Sequence, residues 1–234
     1  MDVDATGWPT SFEEARAVQE NLRARVVTTD DFGAVRTVAG VDTGYEGDVA
    51  RAAVVVLAFP SLEPIDYAVG RRPAPFPYVP GYLSFREVPA VLAAFEALKT
   101  KPDLLLCDGQ GIAHPRRLGI ASHVGVLLDL PSIGCGKSRL CGRSKAVPDE
   151  RGAHVPLTDR GERIGVVLRT RPGTKPLYIS PGHRVSIETA VRYVMACTTR
   201  YRLPETTRAA DKLASDGILP AISPLLARAS REAP

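Results

Sequence analysis

The order of apolar segments predicts an α/β fold, with a central mixed sheet of five or more strands flanked by helices. Two observations carry that expectation. Between residues 35 and 72 three strand-like segments follow one another at short intervals, whereas beyond residue 85 helix-spaced and strand-like runs alternate. Composition agrees: 44% hydrophobic and 24% charged residues over 234 positions suit a chain that buries one substantial core.

Ser11-Phe12-Glu13-Glu14 fits a capping box, and Ala15, Val18, Leu22 and Val26 follow at helical spacing, so a helix from about Ser11 to Arg25 is expected. Strands are expected over Val35–Tyr45, Ala50–Phe59 and Ile65–Arg72, separated by the turn residues Gly47-Asp48 and Pro60-Ser61. Three strands joined this closely read as an antiparallel meander. Val88, Val91, Leu92, Phe95 and Leu98 then mark an amphipathic helix. Asp103 to Cys107 is a short apolar run without alternation, as a strand covered on both faces would show. A helix over Leu118–Leu128, a strand over Pro131–Gly136 and weaker strands over Ile164–Arg169 and Leu177–Ile179 follow. Ile187, Ala190, Val191 and Val194 give a helix capped by Ser186, and Pro204–Leu213 gives the last. A meander followed by alternating helix and strand is the order of a ribonuclease-H-like domain. No repeat or linker-like break divides residues 1–234, so one domain is expected, with its core over about 11–215 and no role assigned to the tail, 217–234. The Pro/Gly-rich stretch from Arg71 to Gly81 reads as a long functional loop.

Lys and Arg total 30 against 26 for Asp and Glu, a net charge of +4. That mild excess suits a polyanionic partner without requiring one. Cys107, Cys135, Cys141 and Cys197 include no C-x-x-C pair, which argues against a zinc ribbon or a thioredoxin-type motif. Reduced thiols in a cytoplasmic protein are the simplest reading. Met1 to Pro9 lacks an apolar core for a signal peptide, and no apolar run reaches the roughly 18–20 residues a membrane span needs. No membrane association is expected.

Asp42 lies inside the strand-like run Val38-Ala39-Gly40-Val41-Asp42, where an acid is costly unless paired or bound to a metal. Asp108 ends Leu104-Leu105-Leu106-Cys107-Asp108, at the kind of strand terminus where ligands collect in α/β sheets. On neighbouring strands the two carboxylates could converge on a hard cation such as Mg²⁺. A salt-bridged Asp42 and a turn-forming Asp108 are the structural alternatives, and spacing does not separate the readings. Glu87 completes a capping box in Ser84-Phe85-Arg86-Glu87, although Pro89 would favour a helix start nearer Glu87. From the residues alone, capping is the better reading of Glu87, and a solvated helix face that of Asp211.

His114 follows the turn Asp108-Gly109-Gln110-Gly111, and His183 in Ser180-Pro181-Gly182-His183 precedes a predicted helix N-terminus, a natural anion site. Either could bind nucleic-acid backbone or relay a proton. His123 sits on a helical stripe and His154 reads as a surface-loop residue. Lys137 ends a strand and is followed by Arg139, Arg143 and Lys145, a run that is either a solvated face or a phosphate contact. Tyr78, on the proline-stiffened Pro77-Tyr78-Val79-Pro80-Gly81, either packs in its loop or stacks on or wedges between bases.

In order, Gly40-Val41-Asp42, Pro77-Tyr78-Val79-Pro80-Gly81-Tyr82-Leu83-Ser84-Phe85-Arg86-Glu87, Asp108-Gly109-Gln110-Gly111, Ala113-His114-Pro115-Arg116, Ser180-Pro181-Gly182-His183 and Tyr201-Arg202-Leu203-Pro204-Glu205-Thr206-Thr207-Arg208 resemble the endonuclease V family. The resemblance runs from about Val38 to Ser215. It implies a ribonuclease-H-like fold, Mg²⁺ with Mn²⁺ substituting, and a monomeric nuclease. The implied substrate is deoxyinosine in DNA, nicked at the second phosphodiester bond on the 3′ side. It makes Asp42, Glu87 and Asp108 catalytic carboxylates, overturning the capping preference for Glu87. Asp211 falls where the family places Asp or His as a further metal-proximal group, and Lys137 would hold or polarise a phosphate. Tyr78, Gly81 and Leu83 match the strand-separating wedge. Gly111, Gly136 and Ser180 match positions lining the pocket of the extruded base, whose backbone donors would read its O6. Three alternatives stand beside this reading: an endonuclease on inosine-containing RNA, a non-catalytic binder of damaged nucleic acid, and a phosphatase on small phosphates.

Overall fold

The computed structural model describes residues 8–218 and Ala221; the residues before Trp8, and most of the tail with Pro220 and Pro224, lie outside the described residues. Helix α1 (Phe12–Arg23) opens on the expected capping box, with the Glu14 N–H donating to Ser11 Oγ and the Ser11 N–H donating to the Glu14 carboxylate. The expected meander follows as β1 (Thr37–Glu46), β2 (Val49–Ala58) and β3 (Pro64–Pro73), paired antiparallel. After it come α2 (Ser84–Ala97), β4 (Leu104–Cys107), α3 (Ile120–Leu128) and β5 (Ser132–Gly136). The chain continues through β6 (His154–Asp159), β7 (Glu162–Leu168) and β8 (Leu177–His183) to α4 (Ile187–Ala196) and α5 (Glu205–Asp216).

All these strands join one eight-stranded sheet in the order β3-β2-β1-β4-β5-β8-β7-β6. β1, β4 and β5 run parallel at its centre and the remaining pairs are antiparallel, so the sheet is mixed, as expected. Leu104 to Cys107 are all buried, consistent with a strand covered on both faces. Helices α4 and α5 pack on one face through Ala190, Val194, Ala210 and Leu213, against Val38, Val55, Leu106 and Ile179. Helices α2 and α3 cover the other face through Val88, Val91, Ala121 and Val124, against Ala39, Val41, Val54 and Leu105. Among the described residues no helix is long and apolar enough to cross a membrane.

Three expectations are corrected. His154 is not in a loop but opens the edge strand β6, which alternation did not reveal because it contains Pro156 and buries only Leu157. Strand β8 runs on past Ile179 to His183, while the following helix is capped at Ser186 as expected, its side chain accepting from the Thr189 N–H. Helix α2 starts at Ser84, not near Glu87, and Ser84 is not its cap. Pro89 therefore lies inside the helix and cannot donate to the Phe85 carbonyl. The indole N–H of Trp8 donates to that carbonyl at 2.8 Å, which satisfies the acceptor the proline leaves open.

Candidate metal and nucleic-acid site

Parallel pairing of β1 with β4 ends at Val41 and Cys107, and the Asp108 N–H donates to the Val41 carbonyl at 2.9 Å. Asp42 and Asp108 therefore leave adjacent strands side by side. Helix α2 brings Glu87 in its first turn, and α5 brings Asp211. Two glycines on the α5 face of β1 set the depth of α5. A Cβ at Gly40 would lie 1.9 Å from the Thr206 carbonyl oxygen, and one at Gly44 2.9 Å from that of Ala214. Asp42 lies between those glycines in sequence and Asp211 between those contacts, so the bare strand lets the helix set the two acids together.

The acids act on one another's charge. Burial, with the Asp108 charge adding to it, pushes the Asp42 carboxyl up to about 7, and Asp211 acts in the same direction by hydrogen bonding. Burial pushes Glu87 up to about 8; the Tyr45 hydroxyl, donating to Oε1 at 3.2 Å, opposes this, and the charges of Asp42 and Asp108 add to it. Asp108 is raised by burial against the pull of Lys137. The Lys137 ammonium ion-pairs with Asp108 and lies 3.8 Å from Asp211 Oδ1. Among the described residues no three acids form a ready-made metal cage. They are nonetheless hard oxygen donors, and the burial and mutual repulsion that raise Asp42, Glu87 and Asp108 would be relieved by a divalent cation of the Mg²⁺ type, which takes such oxygens in their ionised form.

Beside the acids opens a cavity of about 340 Å³, lined by Tyr78, Gly81, Leu83, Gln110, Gly136 and Lys137, with Asp108 and His114 also in its wall. Tyr78 is 71% exposed on its loop. The root of that loop is fixed at Gly81, which has φ +87 and whose carbonyl accepts from Gln19 at 2.9 Å and from Arg116 at 2.7 Å. His114 Nε2 lies 3.0 Å from the same oxygen, while its Nδ1 accepts from the Arg116 N–H. His114 is therefore the Nε2–H tautomer, and burial with Arg116 nearby holds its pKa down to about 4. It anchors the loop as a neutral donor and has no free nitrogen for a phosphate or a proton relay.

The other expected residues divide. Gly136 leaves its space to the Gln110 amide, since a Cβ there would lie 2.1 Å from Gln110 Nε2 and would displace that side chain. Gly111 and Ser180 lie behind the cavity wall, the Gly111 N–H donating to Ser180 Oγ at 2.9 Å. His183 is not brought into the site. It pairs with Ser132 at the opposite end of β5 from Gly136, accepts from the Val27 N–H and faces Asp129. Sequence reasoning gave no role to Tyr45, Gln110, Gln19, Arg116 or Arg202. Arg202 donates to the Lys137 carbonyl at 3.0 Å and holds the segment that carries the lysine. Gln110, Arg116 and Arg202 stood within the quoted motifs, but their partners are distant in sequence.

The fold and the acid cluster at the end of its central strands define a ribonuclease-H-like nuclease. The family model of endonuclease V matches residues 20–212. Endonuclease V of Roseiflexus sp. is 68% identical over 213 residues, covering 91% of this chain and 96% of that one. The crystal structure of endonuclease V from Streptomyces avermitilis superposes with a TM-score of 0.86 at 45% identity, covering 91% and 95% of the two chains. That of Ciona intestinalis, in complex with a 24mer DNA containing an inosine followed by a ribo-adenosine, gives 0.76 at 29% identity, covering 88% and 96%. The chain belongs to the endonuclease V family and is an endonuclease.

Proposed function

We propose that this chain, acting as one domain and as a monomer, nicks DNA containing deoxyinosine. The cut falls at the second phosphodiester bond 3′ to the lesion and leaves a 3′-hydroxyl and a 5′-phosphate. The observation that carries this reading is the meeting of Asp42, Glu87, Asp108 and Asp211 beside a cavity under an exposed tyrosine. Those four acids would hold Mg²⁺, or Mn²⁺ in its place. Such ions, when bound, lower the pKa of an attacking water and neutralise charge on the leaving oxygen.

The chain's own groups supply the rest. Tyr78, at the tip of a loop pinned at Gly81, is placed to enter the base stack and hold the strands apart. The cavity receives the extruded base, and the weak pairing of hypoxanthine lowers the cost of extrusion. Lys137, set by Arg202 and facing Asp108, contacts the phosphate. Tyr45 orients Glu87. The inosine-containing DNA bound by the Ciona relative supports the choice of lesion.

The test presents matched DNA duplexes and RNA strands with and without the inosine base, in Mg²⁺ or EDTA, to the wild type, Asp42→Ala and Asp108→Ala. Nicking of the deoxyinosine strand only, in Mg²⁺ only and by the wild type only, is expected. Nicking that persists in both variants sinks the proposed site, binding without nicking favours a non-catalytic role, and preference for the RNA strand reassigns the substrate.

A further inference from the structure

Seven buried side-chain polar atoms lack a hydrogen-bond partner among the described residues. Gln110 Oε1 is the one that belongs to a residue in the cavity wall. Gln110 is 9% exposed, and its Nε2 donates to the Ser138 carbonyl at 2.8 Å. Exchanging the amide nitrogen and oxygen would set two carbonyl oxygens face to face at that distance, so Ser138 fixes which end of the carboxamide is the acceptor. The bare Cα of Gly136 makes room for this amide. A buried acceptor left unsatisfied is costly, and one carried by a side chain in the cavity wall is satisfied when a bound ligand brings a donor to it.

We propose that Gln110 Oε1 accepts the N1–H of the extruded hypoxanthine, which makes Gln110 a specificity-determining residue. The proposal rests on the deoxyinosine reading above. Hypoxanthine is a lactam with a proton on N1, whereas adenine carries a lone pair at N1. An acceptor that cannot turn therefore bonds the deaminated base and repels the undamaged one. Discrimination of this kind is strong because the wrong base leaves buried polar groups unpaired. Guanine shares the N1–H, and its rejection falls to the space around its 2-amino group.

Gln110→Met removes the acceptor at similar volume, and Gln110→Glu keeps an acceptor while losing the donor to Ser138. Each is compared with the wild type for thermal stability, for kcat/KM on deoxyinosine, and for binding to duplexes holding deoxyinosine or deoxynebularine, a purine without the N1 proton. Gln110→Met should lose about tenfold to a hundredfold on deoxyinosine and little on deoxynebularine, so that the difference between the two narrows by that factor, the remainder being the O6 that deoxynebularine also lacks. Gln110→Glu should retain a preference for deoxyinosine even if its stability falls. An equal loss on both bases, no loss on either, or a Gln110→Glu protein without preference overturns the inference while leaving the nuclease reading intact. A wild type that neither binds nor nicks deoxyinosine overturns both.

Discussion

Replacing Glu87 with glutamine should make the protein more stable and destroy its activity. Burial moves the Glu87 carboxyl from 4.5 to about 8. The folded state therefore holds a proton that the unfolded state has lost, and stability falls as pH rises from 4.5 through 8. At pH 7 the interval above 4.5 is 2.5 units, and at about 1.4 kcal/mol per unit the carboxyl costs on the order of 3 kcal/mol. Glutamine keeps an oxygen to accept the Tyr45 hydroxyl and carries no charge. In a chain of this size such a gain raises Tm by about 6–12 °C. Calorimetry in EDTA at pH 7.5 and pH 4.5 should show a large gap between variant and wild type at the higher pH that nearly closes at the lower, while nicking in Mg²⁺ disappears. A variant that melts at or below the wild-type temperature at pH 7.5, or that still nicks, refutes this account of Glu87.

Gly40→Ala drives a methyl into the Thr206 carbonyl and should lower stability by about 1–3 kcal/mol in urea melts, with nicking falling further as Asp211 leaves Asp42. Tyr78→Ala touches an exposed side chain and should leave Tm within about 2 °C, while cleavage of a duplex falls more than cleavage of a single strand. Burial holds His114 down to about 4 and His123 down to about 3, so both are neutral at pH 7. Each contributes stability that is fully present above 6.5 and is lost, at about 1.4 kcal/mol per unit, as pH falls towards those values. Imidazole NMR signals of both should keep their neutral positions at pH 5, and a midpoint above 6 for either contradicts its burial.

Much of the fold was legible because it is written in local periodicity. The meander, the doubly covered β4 and the capping box of α1 all appear where apolar spacing places them. β6 was not, since an exposed edge strand with a proline needs no alternation. Asp42 and Asp108 stood out because charge inside apolar strands demands a partner. Glu87 and Asp211 did not, because an acid on a helix is ordinary until the packing of that helix is known. That packing depends on Gly40 and Gly44 meeting the backbone of α5 some 170 residues away. His183 shows the opposite failure: a motif beside a predicted helix start looked like an anion site, yet the strand continues through it and turns it away from the acids.

The central claim is tested most directly by mapping the cut. A duplex with one deoxyinosine, labelled at either end and incubated with the wild type in Mg²⁺, should yield a single nick at the second phosphodiester bond 3′ to the lesion. The downstream fragment should carry a 5′-phosphate and the upstream fragment a 3′-hydroxyl that a polymerase extends. A cut elsewhere, a 3′-phosphate, or release of the free base in place of a nick contradicts the account.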